Sequence, residues 1–223
     1  MNREECNKLY DMLSKDQKDN IIKTQKDNTE EPKKNGVGEF TSADNKKYVG
    51  FWNQGMLEGA GEVTTTKGER YIGEWKDNKK DGVGEQTTKT GTRYIGEWKG
   101  GCTHGFGEFD FGNGEKYTGR FRYNKKYGHG EFKYPNGDEY FGESVNGKRH
   151  GKGEMKYSDG ESYTGHWKND KHHGFGEYIY SNGDKYVGRF YRGMTHGYGE
   201  FTFTDGVRKL CFYKSNEFIK WMN

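Results

Sequence analysis

The stretch Gly128-His129-Gly130-Glu131-Phe132-Lys133-Tyr134-Pro135-Asn136-Gly137-Asp138-Glu139-Tyr140-Phe141-Gly142 decides the fold. Proline pre-sets φ for the second position of a type I turn, and glycine takes the left-handed bulge position that follows, so 135 to 137 form a three-residue hairpin loop. With that loop Tyr134 pairs with Asp138, Phe132 faces Tyr140, Gly130 faces Gly142 and Gly128 faces Ser144. Residues directly opposite share a face, so the glycines and rings collect on one side. A two-residue loop would put Tyr140 on the face of Glu131 and scatter the rings, so the apolar pattern supports the odd register independently.

Outward from this hairpin the same pattern repeats without an insertion. A Tyr-x-Gly triplet starts at Tyr48, Tyr71, Tyr94, Tyr117, Tyr140, Tyr163 and Tyr186, each 23 residues after the last. Gly-x-Gly-Glu starts at Gly36, Gly59, Gly82, Gly105, Gly128, Gly151, Gly174 and Gly197 on the same period, which makes eight copies. Between the motifs lie turn signals: Asn113-Gly114, Asn136-Gly137, Asp159-Gly160, Asn182-Gly183 and Asp205-Gly206, with Lys67-Gly68 and Thr90-Gly91 as weaker versions. In the copy at 105 to 121 one face carries Gly105, Gly107, Phe109, Phe111, Tyr117, Gly119 and Phe121, and the other Glu108, Asp110, Thr118 and Arg120. Paired glycines leave a trough in which neighbouring rings lie flat, and this trough takes the place of a conventional core. The expected fold is all-β, an elongated single-layer antiparallel sheet of hairpins; at about 4.8 Å per strand, eight copies make a strip on the order of 75 Å long.

Composition agrees. Only 29% of the 223 residues are hydrophobic and mean hydropathy is -1.30, while 16% are aromatic and 36 Gly stand against 2 Pro, which suits twisted strands and tight turns. Lys and Arg number 37 against 34 acids, too balanced to point to nucleic acid. Cys6, Cys102 and Cys211 are odd in number and far apart, as free thiols in a reducing compartment would be. No stretch approaches the ~18 apolar residues of a membrane helix, and the expected location is cytoplasmic.

Three segments follow: 1–34, 35–213 and 214–223. Cys6, Leu9, Tyr10 and Leu13 form a helical stripe, read either as a lid on the sheet or as a docking helix for a partner through Leu9, Tyr10 and Leu13; the following residues to Lys34 read as a polar linker. Ser215-Asn216 offers an N-cap before Glu217-Phe218-Ile219-Lys220-Trp221-Met222, which predicts a short C-terminal capping helix over the last sheet edge.

The sequence carries no catalytic constellation. The repeated glutamates from Glu39 to Glu200 advance about 10 Å per copy and do not converge. His104, His150, His173 and His196 share one repeat position, and the adjacent pair His172-His173 points to opposite faces of a strand, so it does not clamp a metal. Gly142 to Lys148 imitates the start of a P-loop, but Arg149 stands where Ser or Thr must ligate Mg²⁺. No cofactor, metal or enzymatic activity is expected. The connectors at 53 to 58, 76 to 81, 99 to 104, 122 to 127, 145 to 150, 168 to 173 and 191 to 196 do stand out, with twelve Lys and Arg against four acids. Lys79, Lys80, Arg122, Lys125, Lys126, Lys148, Arg149 and Lys171 are candidate contacts to an anionic surface.

Tyr94-Ile95-Gly96-Glu97-Trp98 through His104-Gly105-Phe106-Gly107-Glu108 resembles a full MORN repeat, and the resemblance runs over roughly residues 35 to 213. Ser144, where Trp or Phe is usual, and Lys209-Leu210-Cys211, in place of Tyr-x-Gly, depart from it. The resemblance implies a scaffold rather than an enzyme, and short, nearly all-repeat chains resemble axonemal and cytoskeletal members, which points to a cilium and its radial spokes. A single layer cannot bury both faces, so an exposed aromatic trough is expected to receive an amphipathic helix of a partner. Its expected lining is Trp52, Tyr71, Trp75, Tyr94, Trp98, Phe109, Tyr117, Phe121, Phe132, Tyr140, Tyr163, Trp167, Tyr186 and Phe190. The alternative is a peripheral membrane tether that uses the basic connectors; a homodimer stays open.

Overall fold

The structure is a computed structural model that describes residues 35–222. The chain divides into two units, the first ending at Lys125 and the second starting at Lys126. In the first, β1 (Asn35–Thr41), β2 (Lys47–Asn53), β3 (Met56–Thr64), β4 (Arg70–Lys76), β5 (Lys79–Thr87), β6 (Arg93–Lys99), β7 (Cys102–Asp110) and β8 (Lys116–Arg122) pair antiparallel in chain order. In the second, the same holds for β9 (Lys125–Lys133), β10 (Glu139–Val145), β11 (Lys148–Lys156), β12 (Ser162–Lys168), β13 (Lys171–Ile179), β14 (Lys185–Tyr191), β15 (Met194–Thr202), β16 (Arg208–Lys214) and β17 (Glu217–Trp221). All described secondary structure is β-strand.

The register is the expected one. Phe132 faces Tyr140, Gly130 faces Gly142 and Gly128 faces Ser144. Tyr134 N donates to Asp138 O at 2.9 Å and Gly137 N to Tyr134 O at 3.0 Å, the bond pair of a type I turn with a glycine bulge. The other loops of this kind repeat it, as in Thr65 N to Glu69 O and Tyr180 N to Asp184 O.

The connectors are tighter than the sequence reading has them. Each is a two-residue turn with both residues left-handed, as in Asp77-Asn78 (φ 50 and 61) and Asn169-Asp170 (φ 50 and 67). This is the type I′ geometry that matches strand twist. Beyond each turn the ladder shifts; Gly73 faces Gly84 and Trp75 faces Lys80, so Glu74 stands against Asp81, Gly82 and Val83. Gly82 needs its left-handed φ of 71 there, and the Glu74 carboxylate lies where its Cβ would be. Successive turns also stack: Gly101 N donates to Lys80 O at 2.8 Å, and Gly193 N to His172 O at 2.9 Å.

The expected C-terminal helix is absent. Ser215-Asn216 is another left-handed turn (φ 50 and 66), and residues 217–221 are strand β17, paired with β16. Asn216 lies 46 residues beyond Asp170 and uses its side chain the same way, accepting from Thr195 N at 2.7 Å as Asp170 accepts from Arg149 N at 2.9 Å. The repeat phase therefore outweighs the local N-cap signal. Here the bulge is one residue shorter, so Trp221 falls opposite Cys211 in what is elsewhere the glycine row, and the trough ends there. The predicted N-terminal helix with Leu9, Tyr10 and Leu13 lies outside the described residues.

Candidate functional site

The aromatic side chains gather on the glycine face, as the register requires, but they do not lie open. Tyr71, Tyr94, Tyr140, Tyr163 and Tyr186 each lie over the glycine of their own strand and the glycine paired with it on the following strand; a Cβ on Gly84 or Gly153 would meet the ring of Tyr71 or Tyr140. Each hydroxyl donates to the carbonyl three residues on, at 2.9 Å for Tyr71, Tyr94 and Tyr140. At Trp75, Trp98, Phe121, Trp167 and Phe190 the ring after Tyr-x-Gly stands edge-on to that tyrosine and to the tyrosine of the preceding copy. Trp98 is 5.1 Å from Tyr94 and 5.2 Å from Tyr71, and Trp167 is 5.2 Å from both Tyr163 and Tyr140. The indoles of Trp52, Trp98 and Trp167 donate to glycine carbonyls one strand away at 3.1 to 3.2 Å.

Thirteen of the fourteen predicted trough residues are consequently 0 to 6% exposed: Trp52, Tyr71, Trp75, Tyr94, Trp98, Tyr117, Phe121, Phe132, Tyr140, Tyr163, Trp167, Tyr186 and Phe190. Phe109 is half-buried. These rings are the core of the sheet, which corrects the expectation that they form an open patch. Part of the cover comes from cations expected on the outer edge. The Lys80 amine sits 4.8 Å from the Tyr71 ring and 4.7 Å from Trp98, and donates to Gln86 Oε1 at 2.6 Å; burial pulls its pKa down to about 8. Lys126 lies over Phe132, and Arg149 over Trp167 at 4.5 Å. Of the eight residues proposed for an anionic surface, Lys79, Arg122, Lys125, Lys148 and Lys171 are exposed, while Lys80, Lys126 and Arg149 turn inward. The Gly-x-Gly-Glu glutamates take structural partners, Glu39 with Lys47, Glu62 with Arg70, Glu85 with Arg93 and Glu177 with Lys185.

In the second unit this second layer leaves space. His172 stacks on Tyr163 at 3.7 Å between centroids and shares a hydrogen bond of 3.1 Å with the Tyr157 hydroxyl. Burial, reinforced by Arg149, lowers its pKa to about 4, so it is neutral at physiological pH. On one side of His172 is a hollow of about 660 Å³, walled by Tyr157, Arg149 and Trp167, with Lys171 and Arg192 at the rim. On the other is a hollow of about 350 Å³ walled by Tyr178, Tyr180, Phe190 and Tyr213. Both reach His172 and Gly193, so they form one interrupted groove across the strands. Its loop-side wall is a run of half-buried rings: Tyr157 to Tyr178 at 6.3 Å, Tyr178 to Tyr180 at 4.9 Å, Tyr180 to Phe201 at 5.7 Å and Phe201 to Phe203 at 4.9 Å. The sequence reading passed over Tyr157, Tyr178, Tyr180 and Phe203, although Tyr157, Tyr180 and Phe203 keep the 23-residue spacing just before each loop.

The opposite face of the same unit has an apolar hollow of about 630 Å³ bordered by Phe175, Val187, Tyr198, Leu210 and Met222. Phe175, Tyr198 and Leu210 are more than half exposed.

Tandem hairpins of one period, with tyrosines laid across paired glycines, define a β-hairpin repeat protein. The MORN repeat model matches residues 48–70, 71–93, 94–116, 117–139, 140–162, 163–185 and 186–208, and the chain belongs to the MORN-repeat family. No curated protein matches it. Among solved structures it is similar to the TCP domain of SAS-4 (dCPAP) in complex with a proline-rich motif of Ana2 (dSTIL) from Drosophila melanogaster, at 13% identity over 79% of this chain and 90% of that one, with a TM-score of 0.30. It is also similar to the TCP10 domain of Danio rerio CPAP in complex with a STIL peptide (13% identity, 82% and 97% covered, TM-score 0.27). A third likeness is to an inactive virginiamycin B lyase from Staphylococcus aureus with quinupristin (12% identity, 86% and 75% covered, TM-score 0.19). At these scores none of the three bears on what this chain binds.

Proposed function

We propose that this chain is a non-enzymatic scaffold that holds a segment of a protein partner in the ring-walled groove of its second unit, as a subunit of a cytoskeletal assembly such as a ciliary axoneme with its radial spokes. The observation that carries the binding reading is the half-buried run Tyr157, Tyr178, Tyr180, Phe201 and Phe203 beside two hollows. Rings beside a concavity are where binding energy concentrates. The cytoskeletal setting rests on the resemblance to axonemal MORN-repeat chains.

A peripheral membrane tether is the second reading, supported by the exposed Lys79, Arg122, Lys125, Lys148 and Lys171. Affinity purification from ciliated cells with the wild-type chain and with Tyr157→Ala/Tyr180→Ala separates the two. The scaffold reading expects a discrete set of proteins that the double variant loses while its circular dichroism stays wild-type. Identical recovery by both chains, together with co-sedimentation on anionic vesicles that disappears when Lys125 and Lys148 are neutralised, would replace it with the tether.

A further inference from the structure

The proposed groove leaves open what kind of segment it accepts, a helix or an extended chain. Three features of its geometry bear on that choice. The first is pitch. One repeat is two strands, so equivalent wall rings such as Tyr157 and Tyr180 are separated by about 9.6 Å across the sheet. A polyproline II helix advances about 9.3 Å per three-residue turn, whereas one heptad of α-helix advances about 10.5 Å. An extended ligand with a proline at every third position stays in step with the rings, while a helix gains roughly 1 Å per repeat.

The second is the chemistry of the walls. A helix satisfies its own backbone and seeks an apolar groove, but this one has hydrogen-bond donors among its rings. The Tyr180 hydroxyl has no hydrogen-bond partner among the described residues although it lines the smaller hollow. A polyproline II chain has no internal hydrogen bonds, and its carbonyls need such donors. The third is charge. Lys171 and Arg192 rim the larger hollow, are exposed, and make no ion pair among the described residues; Arg192 is held over the Tyr191 ring at 5.1 Å. Of the acids in that hollow, Asp170 is paired with Arg149 at 3.5 Å and Asp138 accepts from Ser158 N, so three cations stand against two carboxylates in the lining. A carboxylate on the ligand would meet two unpaired cations.

We infer that the groove binds an extended, proline-rich segment that carries carboxylates, with prolines on the tyrosine wall and acidic side chains toward Lys171 and Arg192. The inference rests on the groove being the binding site. A second strand is not an alternative there, because the floor consists of side chains and the sheet ladder already uses the backbone groups beneath it.

The test uses the full chain and three synthetic probes in isothermal titration: four Pro-Pro-Glu triplets, four Pro-Pro-Lys triplets, and an amphipathic α-helical peptide of the same length and net charge as the first. The Pro-Pro-Glu peptide is expected to bind in the micromolar range, at least about tenfold more tightly than Pro-Pro-Lys, and to lose about tenfold in affinity in Tyr180→Ala and in Arg192→Glu. Arg192 is exposed and Tyr180 half-buried, and near-ultraviolet circular dichroism checks that both variants fold. Binding of the helical peptide alone, abolished by Tyr180→Ala, would overturn the proline assignment and leave the groove as the site. Unchanged Pro-Pro-Glu binding in both variants would place that ligand elsewhere and overturn the inference. Absence of any peptide binding, with partner recovery indifferent to Tyr157 and Tyr180, would remove the inference and the groove reading together.

Discussion

The residues that matter most singly are the glycines under the tyrosines. Gly84 lies beneath Tyr71 with no room for a methyl group, whereas Gly147 faces open space and needs glycine only for its left-handed φ of 81. Gly84→Ala must therefore displace a buried ring and its hydrogen bond, an expected cost of about 3 kcal/mol or more. Gly147→Ala pays only for backbone conformation, about 1 kcal/mol. Urea denaturation of the two variants measures the difference, and equal losses would contradict the packing of tyrosine onto glycine. His172 makes the second case at this scale. Its pKa falls from 6.5 in the unfolded chain to about 4 in the folded one, so the unfolded chain takes up a proton first as pH drops. The stabilising difference is complete above pH 6.5 and is lost progressively toward pH 4, to a total on the order of 3 kcal/mol. Comparing the urea midpoints of wild type and His172→Gln at pH 7 and pH 4.5 should show a smaller drop in the variant. An identical drop would mean that His172 is not the buried neutral group described above.

Among the elements, the hairpins were legible because every copy repeats the same local statement. Proline and glycine at 135 and 137 fix one loop, and the period carries that register to the rest. The connectors were less legible, since their left-handed pairs are as dissimilar as Gln54-Gly55, Tyr123-Asn124 and Arg192-Gly193. Their signal is a doubled period: Asn78, Asn124, Asp170 and Asn216 recur every 46 residues, and the side-chain oxygen of each accepts from a backbone N–H 21 residues earlier. Read in that phase, Ser215-Asn216 is a turn; read by itself it passes for a helix cap. Asn216→Ala is expected to cost about 1 to 2 kcal/mol, by orphaning Thr195 N–H and straining a left-handed φ. Hydrogen exchange should localise the loss to β15 to β17. Unaltered exchange there would argue for a C-terminal segment that does not pair as a strand.

For the whole molecule, sequence located the face on which the rings meet but not which of them stay available. Availability depends on what lies over each ring: a hydroxyl tied to a carbonyl, an indole from the next copy, a lysine or arginine stem folded inward from the connector. None of these follows from alternation along a strand. The central claim is that the half-buried rings of the groove, rather than the sealed ladder or the opposite face, meet the partner. Replacing Tyr180 and, separately, Tyr198 with a photo-crosslinking phenylalanine analogue in ciliated cells tests it most directly. Tyr198 serves as the control because it is 65% exposed on the face opposite the groove. The account predicts discrete cross-linked species from position 180 and none from position 198; cross-linking from 198 with silence at 180 would contradict it.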